Sequence, residues 1–331
     1  DIQKITGKKP VVSSRLAGKT DYAVIIGTLG RSSVIDRIAA AGKIDKSLIE
    51  GKWECYIAQN VTDPFGDGSV KNALVIAGSD KRGSIYGIYS ISELLGMTPW
   101  EFFCDSVPAH RDNLVLPVDY ISVSEEPDVQ YRGIFINDEE TLESWARSLD
   151  EGKHLGPNLY KKIFEMLLRV KSNYLWPGMH ACSDAFSDYI ENPVNADYYG
   201  IVIGTSHCDM LLRNNINEWS SFVSAYKAEH PEYLKDIVYD YTVNPEIVRE
   251  YWIQSVRENK DYEVQWTLGM RGAHDEPFTA VNIDKAPWYG DKNMLMEQII
   301  ADQRDILRTE LNNPTLENVF MMFIPYKEVQ T

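Results

Sequence analysis

The sequence predicts an α/β protein in two parts: a small N-terminal α/β domain over residues 1–125, then a (β/α) domain over residues 126–331. Three observations predict it. Apolar runs of strand length alternate with stretches of helical periodicity along the chain. The rhythm changes after a connecting stretch between Pro108 and Pro127. Beyond it, five apolar strands are separated by helices, which calls for a parallel sheet.

In the first part, the apolar run at 22–26 lies between Asp21 and Gly27 and reads as a buried strand. Val34, Ile35, Ile38 and Ala39 then follow helical spacing. Residues 53–57 and 73–77 read as two more strands, and 78–83 as the turn into a helix over 84–95. Residues 114–116 read as a short extended piece. In the second part the strands are 131–136, 173–176, 199–203, 264–268 and 318–324. The helices between them include 159–170, 245–259 and 292–308.

Composition removes several classes. A net charge of -16 disfavours nucleic acid, whose phosphates need clustered Lys and Arg. No apolar stretch reaches membrane-spanning length. The chain begins at Asp1, which is compatible with a leader already removed. Cys55, Cys104, Cys182 and Cys208 form no CxxC pair, so neither a zinc site nor a redox motif is signalled, and they read as mostly buried thiols. Gly27 and Gly30 follow a strand and precede a helix, as a phosphate-binding turn would, but Ser33 stands where a third glycine belongs and the Walker lysine is missing. A structural turn is the better reading.

The strand ends carry the chemistry. They are Asn137, Asp138 and Glu139; Pro177 to His180; Gly204 to His207; Arg271 with His274, Asp275 and Glu276; and Tyr326, Lys327 and Glu328. A parallel barrel and an open doubly wound sheet both bind ligand at the carboxyl ends of their strands, so periodicity leaves the two open. Alternation on the first strand puts Arg132, Ile134, Ile136 and Asp138 on one face, with Asn137 and Glu139 at the rim. Against this stands a plain turn cap at Asn137 and Asp138. His207, Cys208 and Asp209 look like a metal cluster by composition, but neighbours on an extended strand diverge, so no metal is expected. Glycoside hydrolysis uses two carboxyl groups, one protonated and one ionised. Asp275 or Glu276 could supply one and Glu328 the other; a solvated acidic loop paired with Arg271 is the competing reading for each alone. Trp145 and Trp176 are candidate stacking platforms for sugar rings, whereas Trp53, Trp252 and Trp266 read as core.

Six segments resemble a known family in order: Gly78-Ser-Asp-Lys-Arg-Gly-Ser-Ile-Tyr-Gly-Ile-Tyr89, Arg132-Gly-Ile-Phe-Ile-Asn-Asp-Glu139, Asn173-Tyr-Leu-Trp-Pro177, Tyr199-Gly-Ile-Val-Ile-Gly-Thr-Ser-His207, Gly269-Met-Arg-Gly272 and Tyr326-Lys-Glu-Val329. Together they are similar to the glycoside hydrolase family 115 α-glucuronidases, which remove glucuronic acid or its 4-O-methyl form from xylan side chains with inversion. The resemblance implies a (β/α)8 barrel after the small domain, cut here after about five strands. It implies Asp275 and Glu328 as the acid–base pair, and Asn137, Asp138, His207 and Arg271 as substrate-binding residues, Arg271 pairing with the uronate carboxylate; Glu139 at the rim and Trp176 as a stacking platform, read from their positions, complete the candidate binding set. It implies a glucuronoxylan-like polysaccharide as partner, no cofactor, a secreted or periplasmic location, and a homodimer formed through regions outside this chain. Three departures stand out. Ala273 and His274 replace an Asp and a Gly of the family pattern, Met210 stands where Pro is usual after the acidic residue, here Asp209, and His180 stands where Trp is common. A non-catalytic carbohydrate-binding relative is the alternative that Ala273 favours.

Overall fold

The computed structural model describes residues 1–15, 18–137, 139–149, 154–273 and 276–326. The chain divides into two compact units, residues 1–132 with 164–173 and residues 133–163 with 174–331.

The first unit begins with α1 (Ile2–Thr6) and holds a four-stranded sheet of β1 (Thr20–Thr28), β2 (Tyr56–Thr62), β3 (Val70–Gly78) and β4 (Ile121–Val123), in the order β1-β3-β2-β4. β1 runs parallel to β3; β2 runs antiparallel to both of its neighbours. Between β1 and β2, α2 (Ser33–Ala40) is capped by the Ser32 hydroxyl and buries Ile35, Ile38 and Ala39 among Ile57, Val75 and Ala77. A Cβ on Gly27 would lie 2.6 Å from the Ser32 Cβ, so this glycine serves the close approach of strand and helix. α3 (Lys81–Leu94) is capped by Asp80, whose carboxylate accepts from the Gly83 N–H at 2.7 Å. A Cβ on Gly83 would lie 2.1 Å from the Cys55 carbonyl oxygen, and one on Gly87 2.6 Å from Ile76 Cγ2. The small residues at this turn therefore seat a helix on a sheet.

Two expectations shift here. The strand expected at 53–57 starts at Tyr56, because Glu54 takes a left-handed backbone (φ 57°) and its buried carboxylate is engaged by Arg82, Arg132 and Asn173 Nδ2. That network also removes Arg132 from the barrel-facing row suggested by alternation. It lies before the strand, bonded to Glu54 and to the carbonyls of Val129, Gln130 and Lys171. Residues 114–116 join no sheet; β4 pairs with β2 instead.

The second unit opens with β5 (Gly133–Phe135) and α4 (Glu139–Ala146). Next come α5 (Pro157–Arg169), whose residues divide between the units, β6 (Tyr174–Trp176), α6 (Glu191–Tyr199) and β7 (Val202–Ile203). α7 (Glu218–Glu229), α8 (Pro245–Asn259), β8 (Trp266–Leu268), α9 (Lys292–Glu310) and β9 (Met321–Phe323) complete it. β5, β6 and β7 form one parallel sheet, β8 and β9 another, and a parallel bridge from Ile203 to Val264 joins the two series. The expected parallel arrangement is present. Among the described residues the sheets do not close into a barrel. The expected strand at 199–203 is shorter, since α6 runs to Tyr199 and stops at Gly200 in a left-handed cap.

α8 buries Ile247, Val248, Tyr251, Trp252, Ser255 and Val256, a 3.6-residue stripe, and α9 buries Leu295, Ile299, Gln303, Ile306 and Leu307. These pack around Trp266 and Leu268 of β8. Gln303 is the polar exception: its amide donates to the Gly269 carbonyl and accepts from the Gly269 N–H, each at 2.7 Å. The backbone leaving β8 toward Arg271 is thereby fixed. Trp252 and Trp266 are buried as expected, while Trp53 is only half-buried. Of the four free thiols, Cys55 and Cys208 are buried, Cys182 is half-buried and Cys104 is exposed.

Candidate active site

Carboxyl ends of neighbouring parallel strands lie at one side of a sheet, and β5 to β9 run in chain order here. Beneath those ends, side chains on β6 and at β8 form a polar row that reaches the backbone just after β7. Trp176 Nε1 donates to the Tyr174 hydroxyl at 2.5 Å, which donates to Gln265 Oε1 at 2.6 Å. The Gln265 amide donates to Thr267, and Thr267 to the Thr205 carbonyl. Gly204 makes room for the row, since a Cβ there would meet the Tyr174 hydroxyl at 2.4 Å. Trp176 is thus half-buried with its N–H committed internally, against Phe135 at 5.5 Å.

Above that row three expected residues come together. The His207 ring lies 4.5 Å from the Tyr326 ring, and the Arg271 guanidinium carbon lies 4.7 Å from the same ring. The ends of β7, β8 and β9 therefore meet at Tyr326. His207 is half-buried, and Arg271 has no exposed surface at all. Asn137 is exposed at the end of β5. Asp138, Asp275 and Glu328 lie outside the described residues.

Glu139, expected at the rim, is fully buried at the start of α4. Its carboxylate accepts from the backbone N–H of Met179 (2.8 Å) and His180 (3.2 Å) and pairs with His180 Nδ1 at 2.9 Å. Burial pushes this carboxyl above its usual range, and the backbone donors and His180 oppose the shift. The geometry places Glu139 behind the β6 loop, holding it, with no surface of its own for a ligand. Trp145, the other platform candidate, is 41% exposed on α4.

The residues that sequence reasoning missed are Asn214, Asn215 and Asn217. Asn214 Nδ2 donates to the Met179 carbonyl (2.7 Å), Asn217 Nδ2 to the His180 carbonyl (3.3 Å), and Asn215 Nδ2 to the Gly272 carbonyl (2.7 Å). One short segment after β7 thus straps the loop after β6 to the loop after β8. The cluster Asn214, Asn215, Asn217 was visible as a run of amides, but nothing in its spacing names its targets. Asn215 Oδ1 is buried and finds no donor among the described residues.

Below the strap sit two further acids. Asp209 is held far above the usual carboxylate range, first by burial and then by the nearby Glu218. Burial also raises Glu218, against the pull of Arg213 at 2.7 Å. Asn214 joins them, donating through its side chain to Asp209 and through its backbone to Glu218. A cavity of about 30 Å³ adjoins both acids, room for a water. Among the described residues no three His, Cys, Asp or Glu side chains converge as metal ligands.

The family model for glycosyl hydrolase family 115 matches residues 124–331 of the chain. The chain belongs to family 115. The match takes in every strand end described above. A solved structure described as a novel family 115 4-O-methyl-α-glucuronidase, with specificity for decorated arabinogalactans, is similar to this chain at a TM-score of 0.75 and 34% identity. The similarity covers 93% of this chain, and the chain spans 37% of that one. No curated protein matches. The matched region contains His207, Arg271 and Tyr326 and the Asn strap that ties the loops after β6 and β8 together.

Proposed function

We propose that this chain forms part of a family 115 α-glucuronidase that releases glucuronic acid, or its 4-O-methyl form, from polysaccharide side chains by an inverting acid/base mechanism. The observation that carries it is the convergence of the β7, β8 and β9 ends on Tyr326 in a chain of this family. Asp275 and Glu328 are assigned the two carboxyl roles, one donating a proton to the leaving oxygen and one activating water on the far face of the sugar. The parallel series β5 to β9 supplies the first five strands of a (β/α)8 barrel in this reading. The polymer lies outside the cell, so the enzyme is placed there too.

The test is release of glucuronic acid by the full-length protein from glucuronoxylan and from a uronate-decorated arabinogalactan, the polymer type acted on by the structural neighbour. Xylan is the polymer implied by the family resemblance, and turnover on it is expected; exclusive turnover of arabinogalactan moves the polymer assignment and leaves the sugar unchanged. Proton NMR of the first product is expected to show the anomer opposite to the substrate. Retention would overturn the inverting mechanism. Ala273, in place of an acidic residue, supports one other reading, a relative that binds uronate-bearing sugars without cleaving them. Calorimetric binding of aldouronic acids with no product released would establish that reading instead.

A further inference from the structure

We infer that Asp209, Asn214 and Glu218 form a proton-dependent latch on the loop after β6, which holds while Asp209 keeps its proton and releases Met179 and His180 when the proton leaves. The inference goes beyond the glucuronidase reading and does not depend on which sugar binds. Asn214 is the centre of the latch. Its side-chain nitrogen donates to the Met179 carbonyl at 2.7 Å and to Asp209 Oδ1 at 3.3 Å. Its backbone N–H donates to Glu218 Oε2 at 2.7 Å. All three residues are buried.

The two acids are unequally served. Glu218 accepts from Arg213 at 2.7 Å, from the Ser187 hydroxyl at 2.8 Å and from the Asn214 N–H, so it is the better compensated. Asp209 accepts from the Asn214 amide at a distance longer than an ordinary N–H···O bond. Arg213 is already shared between Glu218 and Glu258, the latter at 3.0 Å. The other titratable groups facing Asp209 bring no positive charge: Glu139 of α4, Tyr160 of α5, Tyr239 before α8 and Tyr251 of α8. Burial first and Glu218 next hold the Asp209 carboxyl well above the usual carboxylate range, with a smaller push from Glu139.

Geometry turns ionisation into movement. The Thr205 hydroxyl donates to the Asp209 carbonyl at 2.6 Å, so the Asp209 main chain is fixed. Glu218 is fixed by Arg213 and Ser187. A negative charge on Asp209 therefore repels Glu218 across Asn214, which is bonded to both. Asn214 has little spare capacity to absorb the change. Its Oδ1 accepts from the N–H groups of Ile216 and Asn217, and its carbonyl accepts from the Tyr251 hydroxyl. The bond to Met179 reaches across to another loop, and it is the one that gives. A cavity of about 30 Å³ lined by Asp209, Asn214 and Glu218 has room for a water to carry the proton away. The sign follows from the raised carboxyl: the latch is closed at low pH and opens as pH rises through the folded value.

Hydrogen exchange on the full-length protein, corrected for the intrinsic pH dependence of exchange, tests the latch. The amides of Met179 and His180 are expected to lose protection at least about tenfold between about pH 5 and about pH 9, while those of α8 keep theirs. Both loop amides donate to Glu139, whose protonation loosens them in the opposite direction, at low pH. Asp209→Asn keeps the neutral side chain of the closed form and is expected to hold loop protection within about twofold across the same range. Glu218→Gln removes the charge that an ionised Asp209 repels and is expected to flatten the response too, which keeps the test decisive where Asp209→Asn folds poorly. Wild-type protection that does not fall with rising pH, or variants that lose it as wild type does, overturns the latch. A loss shared by α8 is global unfolding and overturns it as well.

Discussion

Asp209 shows how far a residue's neighbours in sequence can mislead. Beside His207 and Cys208 it looks like part of a ligand cluster; in the fold it is a buried acid next to Glu218. Its folded pKa is raised, so the native state prefers the protonated form. The resulting stability is fully present below about pH 3.9, where the unfolded carboxyl is also protonated, and is lost as pH rises through the folded value. Asp209→Asn is a permanent stand-in for the protonated acid. Relative to wild type, its unfolding temperature is expected to be higher at pH 8 and to lose that advantage by pH 3; a difference that does not change with pH would show that Asp209 is not held neutral. Glu139 and Arg271 carry the same lesson. Both follow a strand, as the sequence implied, but periodicity reports which face a side chain takes and not whether another loop covers it, and Glu139 is buried instead of standing at the rim. What the strap asparagines hold was illegible for a related reason: their partners are carbonyls, which have no identity in a sequence.

At the scale of elements, α8 and α9 were legible because their buried stripes repeat at 3.6 residues and belong to one core. α7 buries only Glu218 and Phe222, so it left little periodic trace. The short strands of the second unit were placed correctly but drawn too long, since β7 is only two residues and helix α6 consumes the start of its apolar run. The α3 turn makes a quantitative case. Gly83→Ala would drive a Cβ into the Cys55 carbonyl, where only backbone can yield, and is expected to cost about 3 kcal/mol in denaturant unfolding. Gly30→Ala, at φ +70° with open space around it, is expected to cost about 1 kcal/mol from backbone conformation alone. Equal losses at the two sites would contradict the packing of α3 on β2.

For the whole molecule, class and strand direction were readable and closure was not. Five parallel strands in chain order fit the start of a barrel and an open sheet alike, and what separates them is pairing between the first strand and the last. The described residues contain no such pairing, and the chain spans 37% of its structural neighbour. A polypeptide of these 331 residues alone is accordingly expected to release no glucuronic acid from glucuronoxylan, whereas a longer protein that completes the barrel is expected to; measurable turnover by the 331-residue chain would show that five strands suffice. In the full-length protein, Glu328→Gln is expected to lower kcat by at least about a hundredfold with ligand affinity retained, and near-normal kcat would remove Glu328 from the acid–base pair. The Asn strap bears on how such a site changes over time. Because Asn214 and Asn217 grip carbonyl oxygens, they position residues 179 and 180 whatever side chains those residues carry. The side chains at 179 and 180 can therefore be exchanged one at a time over generations while the backbone after β6 is inherited unchanged.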